Sequence, residues 1–208
     1  MKTWYARTVL PCLLDWALDR ETLAAHRRRQ LESAHGKVLE IGLGTGLNIP
    51  WYPSAVDHLT AIDTNSGMTR RAHDRIVVSP LVVEHRIVTA ERLPMANDTF
   101  DCAVSTLTLC SIPDVAQALK EVYRVLKPGG RFLFLEHGLS DDPAVQRWQH
   151  RLTPFSRLLG DGCHLNRDIP ALVTGQAFAL DSLQTGYLEK SPKVSGFLFR
   201  GVATKPSS

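Results

Sequence analysis

Short apolar runs alternate with amphipathic stretches along most of the chain, and each type of stretch predicts a different element. Runs of about four to eight apolar residues have the length of buried strands, whereas apolar residues spaced three and four apart indicate helices. We predict seven strands, near residues 38–41, 58–63, 81–88, 100–105, 131–135, 182–188 and 197–204. Strands that alternate with helices form parallel sheets joined by right-handed crossovers. The pattern therefore predicts an α/β fold built on a doubly wound, mostly parallel seven-stranded sheet.

The clearest helix follows the fourth predicted strand and begins at Pro113–Asp114. Asp114 and Gln117 resemble a capping box at its start. One apolar stripe runs along it, formed by Val115, Ala118, Leu119, Val122, Val125 and Leu126. The following KPGG sequence at 127–130 is predicted to end the helix in a turn, because proline and glycine interrupt helices. We expect the next strand to start directly after this turn.

The first 35 residues are predicted to be helical and to precede the sheet. A helical spacing of apolar residues is formed by Leu10, Leu13, Leu14, Ala17 and Leu18. A second helix is expected from Glu21, and we interpret its basic residues at 26–29 as a solvated face. We therefore divide this single domain into an N-terminal helical segment, residues 1–35, and an α/β body, residues 36–204.

Aromatic residues near the start of the chain suggest a role for the N-terminal helices, residues 1–35. Trp4, Tyr5 and Trp16 lie close in sequence to several arginines. Tryptophan, tyrosine and basic residues are typical of helices that lie on anionic membrane surfaces. Peripheral membrane contact through the N-terminal helices therefore stays open as an alternative.

Composition narrows the classes of function. Hydrophobic residues make up 44% of the 208 residues and charged residues 22%, as in ordinary globular domains. The net charge of +3 is too small to favour nucleic acid as a partner. The cysteines, Cys12, Cys102, Cys110 and Cys163, show neither a CxxC pair nor metal-ligand spacing. We therefore expect reduced thiols, no metal site and a cytoplasmic location, with no secretory signal or membrane span.

The first candidate for chemistry is the stretch KVLEIGLGTGLN at 37–48. An apolar strand that carries Glu40 is followed by Gly42, Gly44 and Gly46, and we predict that a helix begins near Leu47. Glycines let the backbone turn sharply and approach a ligand without a Cβ in the way. A helix that starts after such a turn offers free N–H groups. The order of strand, glycine turn and helix predicts a ligand-binding loop.

An acidic residue ends the second predicted strand, HLTAID at 58–63. Asp63 follows Gly44 by 19 residues. In nucleotide-binding α/β units, an acid at this distance accepts hydrogen bonds from the hydroxyl groups of a ribose. Asp63 could also cap the following helix. With the glycine turn upstream, we interpret it as a ribose-binding residue.

Together these motifs resemble the class I S-adenosylmethionine-dependent methyltransferases (methyltransferase type 11), which have a Rossmann-like fold. Their glycine loop has the spacing GxGxG, which differs from the dinucleotide fingerprint GxGxxG. The resemblance implies S-adenosylmethionine as cofactor, S-adenosylhomocysteine as product, and a seventh strand that pairs antiparallel at the sheet edge. It also implies that the N-terminal helices, residues 1–35, form a lid over the cofactor and substrate. The cofactor-binding residues it implies are Glu40, Gly42, Gly44, Gly46, Asp63, Thr64, Met68, Ala90, Glu91 and Thr106.

Two further motifs belong to this resemblance. TAERLP at 89–94 is similar to the family's third motif, but Thr89 stands where an acid is usual, so Glu91 is expected to face the adenine. LKPGG at 126–130, placed before an apolar strand, is the second. Thr106 ends the fourth strand, where the family's loop binds the methionine part of the cofactor.

The second half of the chain resembles a narrower group. EHG at 136–138 and DGCHLNR at 161–167 resemble the small alkyl-thiol methyltransferases of the methyltransferase-like group and their bacterial relatives. This resemblance implies that a small hydrophobic thiol accepts the methyl group. We predict His137 and Asp161 as catalytic residues, with His164 as a further candidate base. Cys110 and Cys163 are interpreted as buried apolar residues.

Two alternatives remain at this point. The first keeps methyl transfer but directs it to the nitrogen of a phospholipid amine or to the carbon of a quinone precursor, because LEIGLGTGLNIPWYP also resembles bacterial phosphatidylethanolamine N-methyltransferases. The second is a cofactor-binding domain without enzymatic activity. The intact glycines and Asp63 favour the enzyme.

Overall fold

The computed structural model describes residues 4–207, so residues 1–3 of the predicted lid lie outside the described part of the chain. The strands are β1 (Gly36–Ile41), β2 (Val56–Asp63), β3 (Val83–Ile87), β4 (Phe100–Thr106), β5 (Leu126–His137), β6 (Ala179–Tyr187) and β7 (Phe197–Thr204). The helices are α1 (Leu10–Leu18), α2 (Glu21–Leu31), α3 (Ser66–Val77), α4 (Val115–Val125), α5 (Pro143–Leu159), α6 (Ile169–Thr174) and α7 (Lys193–Gly196). A π-helical turn, Tyr5–Val9, leads into α1.

The strands form one seven-stranded sheet in the order β3-β2-β1-β4-β5-β7-β6. The first five strands in that order pair in parallel, and β7 pairs antiparallel with both β5 and β6. The predicted α/β fold with a doubly wound, mostly parallel sheet is confirmed.

The position predicted for the last strand is wrong. Phe197–Thr204 is antiparallel as expected, but it lies between β5 and β6, and β6 forms the edge. Burial explains the order. Most residues of β7 are buried, whereas β6 is exposed along almost its whole length. An exposed, polar strand suits a sheet edge, and an apolar strand suits the interior.

The helix predicted near Leu47 is also not formed. A single turn of 3-10 helix, Ile49–Trp51, connects the glycine turn to the segment before β2. Pro50 cannot donate a backbone hydrogen bond, and Pro53 disfavours helical geometry at the residue before it. The first crossover is therefore a compact loop.

Helix α4 agrees with its prediction. The Asp114 carboxylate caps it by accepting a hydrogen bond from the Gln117 amide at 3.0 Å. Its apolar stripe is buried against the sheet. Strand β5 begins at Leu126, directly after the helix, so the predicted KPGG turn is the irregular start of a strand. Gly129 has a positive φ of 76° there.

The N-terminal helices are held against the body by charge. The Asp15 carboxylate on α1 binds Arg71 at 3.0 Å and Arg75 at 2.9 Å, both on α3.

The long segment between β5 and β6 contributes α5 and α6. Among residues 4–207, no helix combines the length and the apolarity that crossing a bilayer requires.

Candidate active site

A cavity of about 780 Å³ opens at the carboxyl ends of the parallel strands. This is where open α/β sheets bind ligands, and the volume suits a small molecule. Its walls come from α1 and α2, from the loops after β1, β2, β3 and β4, from the end of β5, from the loop after α5, and from the turn before β7. The order of the strands thus brings together residues that lie far apart in the chain.

The glycine turn after β1 forms the floor of the cavity at one end. Gly42 and Gly44 have positive φ values of 77° and 56°. A Cβ at Gly42 would overlap the side chain of Thr108, whereas a Cβ at Gly44 would meet no described atom within 4 Å. Gly42 therefore allows two loops to pack closely, and Gly44 leaves open space for a ligand.

Asp63 fastens this turn from the neighbouring strand. Its Oδ2 accepts a hydrogen bond from the Gly44 amide at 2.8 Å, and its Oδ1 accepts one from the Asn65 amide at 2.7 Å. Burial raises the pKa of Asp63 above its ordinary value, although the two amide hydrogen bonds oppose the change. The carboxylate keeps further lone pairs that a ribose hydroxyl group could use.

Glu40 lies at the centre of a buried polar network below the turn. It accepts hydrogen bonds from Asn48 Nδ2 at 2.7 Å and from the Tyr52 hydroxyl at 3.0 Å. Arg27 donates to Asn48 Oδ1 at 2.9 Å. Burial raises the pKa of Glu40 to about 7, against the effect of these partners. Arg27 is thus buried, and its assignment to a solvated basic face is wrong.

Thr106 connects this network to the N-terminal helices. Its hydroxyl donates to Gln30 Oε1 on α2 and accepts from Asn48 Nδ2, both at 2.9 Å. No motif in the sequence marks Arg27, Gln30, Asn48 or Tyr52 as members of this network. They are polar residues in helical or loop sequence, and many surface residues have the same character.

The remaining predicted cofactor residues divide into two groups. Thr64, Met68, Ala90 and Glu91 line the cavity with the residues above. Gly46 is not among the lining residues, because it packs against Ala72 of α3. Nine of the ten predicted cofactor-binding residues thus face one cavity.

Glu91 also has partners of its own. Its carboxylate accepts hydrogen bonds from the Thr89 hydroxyl and, at 3.3 Å, from the Asp114 amide. This carboxylate therefore links the loop after β3 to the start of α4. An adenine contact of Glu91 stays a prediction.

Both predicted catalytic residues lie where the end of β5 and the loop after α5 line the cavity. His137 ends β5, and its Nε2 is 3.2 Å from the Sγ of Cys163. Asp161 lies in the loop after α5 with a positive φ of 53° and lines the cavity. The Nδ1 of His164 lies 3.1 Å from the carbonyl oxygen of Cys110. The catalytic roles of His137 and Asp161 stay predictions.

Two cysteines complete this end of the cavity. Cys110 is buried and Cys163 is half-buried, and both line the cavity beside His137. The neighbouring Cys110 thiol and burial raise the pKa of Cys163, so its thiol is protonated at neutral pH. The sequence placed these cysteines in the interior but did not reveal that they meet, because they come from loops 53 residues apart.

Comparison with known proteins identifies the family. Residues 39–134 match a family described as a methyltransferase domain. The chain is similar to the phosphatidylethanolamine N-methyltransferase of Cereibacter sphaeroides, with 31% identity over 143 residues that cover 68% of each chain. The chain belongs to the class I S-adenosylmethionine-dependent methyltransferases.

Two further proteins that resemble this chain are also methyltransferases. The thiol S-methyltransferase TMT1A of Homo sapiens is 37% identical over 135 residues, which cover 63% of this chain and 55% of that protein. The chain thus spans little more than half the length of this relative. The structure of the N-methyltransferase NodS from Bradyrhizobium japonicum, in complex with S-adenosylhomocysteine, shares the fold with a TM-score of 0.69. It is 18% identical, and the match covers 92% of this chain and 91% of that one.

The residues of this methyltransferase fit S-adenosylmethionine, the cofactor of the family. The open space above Gly44 admits a ligand close to the backbone. The Asp63 carboxylate has lone pairs that ribose hydroxyl groups could use, and Met68 and Ala90 line the cavity with apolar side chains that would suit an adenine. Glu40 and Asp63 place two carboxyl groups along a cavity that would receive a cationic sulfonium and an ammonium group.

Proposed function

We propose that the protein transfers the methyl group of S-adenosylmethionine to the sulfur of a small hydrophobic thiol. The observation that carries this proposal is the two-part lining of the cavity. The polar part described above continues into an apolar part, formed by Leu14, Ala17, Leu18, Leu23, Leu107, Leu165, Leu188, Pro192 and Leu198. An apolar compartment beside the cofactor residues suits a hydrophobic acceptor.

The choice of sulfur has separate support. The relatives named above include a thiol S-methyltransferase at 37% identity. The thiol of a free cysteine has a pKa of about 8.5, so a few per cent of it is ionised at neutral pH without a strong base. A pocket that binds an alkyl thiol in line with the donor therefore needs few charged residues, and the apolar part of this cavity is formed by uncharged side chains.

S-adenosylmethionine supplies an electrophilic methyl group on a positively charged sulfonium sulfur. The protein's own contribution is positional. The Glu40 network and the Gly44–Asp63 contact fix the donor end of the cavity, while the N-terminal helices cover the acceptor end. Holding two reactants in line at short distance can supply about 7–11 kcal/mol of the barrier reduction.

The acceptor is tested with labelled S-adenosylmethionine and a matched panel of compounds. An alkyl thiol, an alkyl amine and an alcohol of equal chain length, an aryl thiol, a phenol and a quinone precursor each receive equal enzyme. We expect a labelled thioether from the thiols at a rate at least tenfold above any other product. Turnover of the amine or the phenol in place of the thiols would contradict the proposal.

A lipid acceptor is the second candidate, and one surface favours it. Trp4 and Trp16 are 65% and 76% exposed, and the Arg20 guanidinium lies 5.9 Å from the centre of the Trp16 ring. The Tyr5 hydroxyl donates to the carbonyl of Leu159, which brings this surface next to the exposed end of α5. Exposed aromatic and basic residues suit an anionic membrane.

Vesicle sedimentation separates this second candidate from the first. Vesicles that contain phosphatidylethanolamine and an anionic phospholipid are mixed with the wild type and with Trp16→Ala. Binding that Trp16→Ala weakens, together with N-methylation of the lipid, would favour the phospholipid amine. Absence of binding would leave the thiol proposal as the better account.

A further inference from the structure

Three metal-binding side chains meet at the acceptor end of the cavity. Cys110 comes from the loop after β4, His137 from the end of β5 and Cys163 from the loop between α5 and α6. One ligand atom from each, two Sγ and one imidazole nitrogen, lie within 4.8 Å of one another. We call Cys110, His137 and Cys163 the Cys₂His cluster.

The spacing of these atoms matches a known type of coordination. Zinc binds thiolate sulfur at about 2.3 Å and imidazole nitrogen at about 2.0 Å in tetrahedral geometry, which places a sulfur and a nitrogen ligand about 3.5 Å apart. The observed distance between Cys163 Sγ and His137 Nε2 is 3.2 Å. Small shifts of the side chains would therefore let one ion contact all three atoms.

We propose that the Cys₂His cluster binds one zinc ion, whose fourth coordination position faces the cavity and takes the sulfur of the acceptor thiol. Two thiolates and one imidazole are soft ligands that favour zinc over magnesium or calcium. Three protein ligands with one open position are typical of catalytic zinc sites. All three residues line the cavity that also contains Gly44 and Asp63. The role of the ion in thiol activation rests on the proposed function.

The loops that carry the two cysteines are fixed to each other. The His164 amide donates to the Cys110 carbonyl at 2.9 Å. The Arg167 guanidinium donates to the carbonyl of Leu109 and, at 2.6 Å, to that of Ile112. These bonds lie on both sides of Cys110 and on the C-terminal side of Cys163, and they hold the two loops together before any ion binds. Such preorganisation lowers the cost of coordination.

Glu136 supports the same loop without belonging to the cluster. Its buried carboxylate accepts hydrogen bonds from the Ser105 hydroxyl at 2.6 Å, from the Thr108 amide at 3.1 Å and from the Leu109 amide at 3.2 Å. It therefore fixes the residues that precede Cys110. His137 directs Nε2 at the cluster, while its Nδ1 is buried with no hydrogen-bond partner among the described residues.

The chemical step balances with the groups named. Zinc binding displaces the protons of both cysteines, and coordination of the acceptor thiol releases its proton to solvent. The sulfur electron pair of the thiolate forms the new bond to the methyl carbon. The bond between that carbon and the sulfonium sulfur breaks, and its electron pair stays on the sulfur of S-adenosylhomocysteine. The neutral thioether binds zinc weakly and leaves.

Cobalt substitution tests the site with a readout that does not depend on activity. The full chain is treated with a chelator under a phosphine reductant, dialysed and titrated with Co²⁺. We expect one equivalent to give the sulfur-to-cobalt charge-transfer absorption of a tetrahedral thiolate site. Cys163→Ser and Cys110→Ser should each lose most of this absorption. Cys12→Ser, an exposed cysteine on α1, is the matched control and should keep it.

Zinc affinity gives the second measurement. Competition with a chromophoric chelator should show at least tenfold weaker zinc binding in Cys163→Ser and His137→Gln than in Cys12→Ser. Circular dichroism and urea unfolding of every variant check that the fold is kept. Stoichiometric zinc binding by wild type and Cys12→Ser that both cluster variants lose supports the site. Absent or unaltered binding overturns it, as does a Cys110–Cys163 disulfide that persists under the reductant.

The acceptor step is tested on the cobalt protein by adding S-adenosylhomocysteine and an alkyl thiol. Stronger charge-transfer absorption, caused by a third sulfur ligand, supports thiol coordination, and an unchanged spectrum overturns it. Methyl transfer to thiols by chelator-treated, metal-free protein at the full rate would overturn the zinc proposal and leave the proposed function intact. Cobalt binding without any thiol methylation would instead contradict the proposed function.

Discussion

The Asp63 carboxylate accepts a hydrogen bond from the Gly44 amide at 2.8 Å. One oxygen thus holds the glycine turn that follows β1, while the same side chain faces the cavity from the end of β2. The acid expected to bind a ribose therefore also shapes the loop on which the cofactor would lie.

Replacing Asp63 should weaken cofactor binding strongly. Hydrogen bonds to a charged group contribute about 1.5–3 kcal/mol, so Asp63→Ala should raise the dissociation constant for S-adenosylhomocysteine about 10- to 100-fold. Asp63→Asn keeps one acceptor oxygen, so its dissociation constant should lie between those of the wild type and Asp63→Ala. Isothermal titration calorimetry measures the constants. Asp74→Asn, an exposed acid on α3, is the control and should bind like the wild type.

The glycines of the turn should respond differently to the same substitution. Gly42→Ala places a methyl group on the Thr108 side chain and should lower the stability by at least about 1 kcal/mol. Gly44→Ala has space for its methyl group in the free protein, so its stability should fall only by the strain of a positive φ of 56°, about 1 kcal/mol, and it should also weaken cofactor binding. Urea unfolding and calorimetry measure the two effects separately.

The double variant Gly42→Ala/Thr108→Gly is the control for the clash. Removing the Thr108 side chain should restore part of the stability that Gly42→Ala loses. If Gly44→Ala binds S-adenosylhomocysteine as tightly as wild type, the ligand does not approach the backbone at this position.

Asp15 links the N-terminal helices to the glycine turn. Arg75 binds Asp15 at 2.9 Å and also donates to the Thr45 carbonyl at 2.7 Å. Asp15→Asn should release α1 and speed cofactor dissociation about two- to fivefold, as expected from losing a partly exposed ion pair. Stopped-flow fluorescence measures the rate. Asp19→Asn, a 63% exposed residue 3.6 Å from Arg75, should change it less. Equal rates in both variants would argue against a lid.

Glu40 should make the stability depend on pH. Burial raises its pKa from 4.5 to about 7 in the folded protein, so the folded state binds this proton more tightly than the unfolded chain does. The stabilisation is therefore complete below pH ~4.5 and is lost as the pH rises through 7, by about 3 kcal/mol in total. Urea unfolding between pH 5 and 8 should show the loss.

Glu40→Gln should flatten this part of the pH profile, because glutamine does not titrate. Other buried carboxyl groups are present in both proteins and cancel in the comparison. Glu32→Gln, an exposed substitution, should leave the slope unchanged. An equal slope in wild type and Glu40→Gln would show that Glu40 is ionised over this whole range.

The periodicity of apolar residues predicted the fold well where local signals decide it. Helix α4 follows its apolar stripe and its Asp114 cap, and the last strand has the predicted bounds Phe197–Thr204. The position of that strand in the sheet depends on whether β6 or β7 is more apolar. This is a comparison between separate segments of the chain, which no local motif records. No helix forms after the glycine turn because two prolines, Pro50 and Pro53, interrupt the segment. The spacing of apolar residues does not reflect this local effect.

The site could be predicted from sequence only where one motif carries it. Gly42, Gly44 and Asp63 belong to one pattern, a strand, a glycine turn and a second strand that ends in an acid, and that pattern predicted them. The partners of Glu40 come from α2 and from the loop after β1, and Arg27 and Gln30 differ from surface residues only by burial. The Cys₂His cluster is assembled from three loops, so spacing rules for metal ligands do not apply to it.

A crystal structure of the protein with S-adenosylhomocysteine and an alkyl thiol measures the central claim most directly. The account predicts that the ribose contacts Asp63, that the ligand backbone passes above Gly44, and that the homocysteine sulfur faces the thiol sulfur beside Cys110, His137 and Cys163. A homocysteine sulfur that faces away from these three residues, with the thiol bound elsewhere, would contradict it.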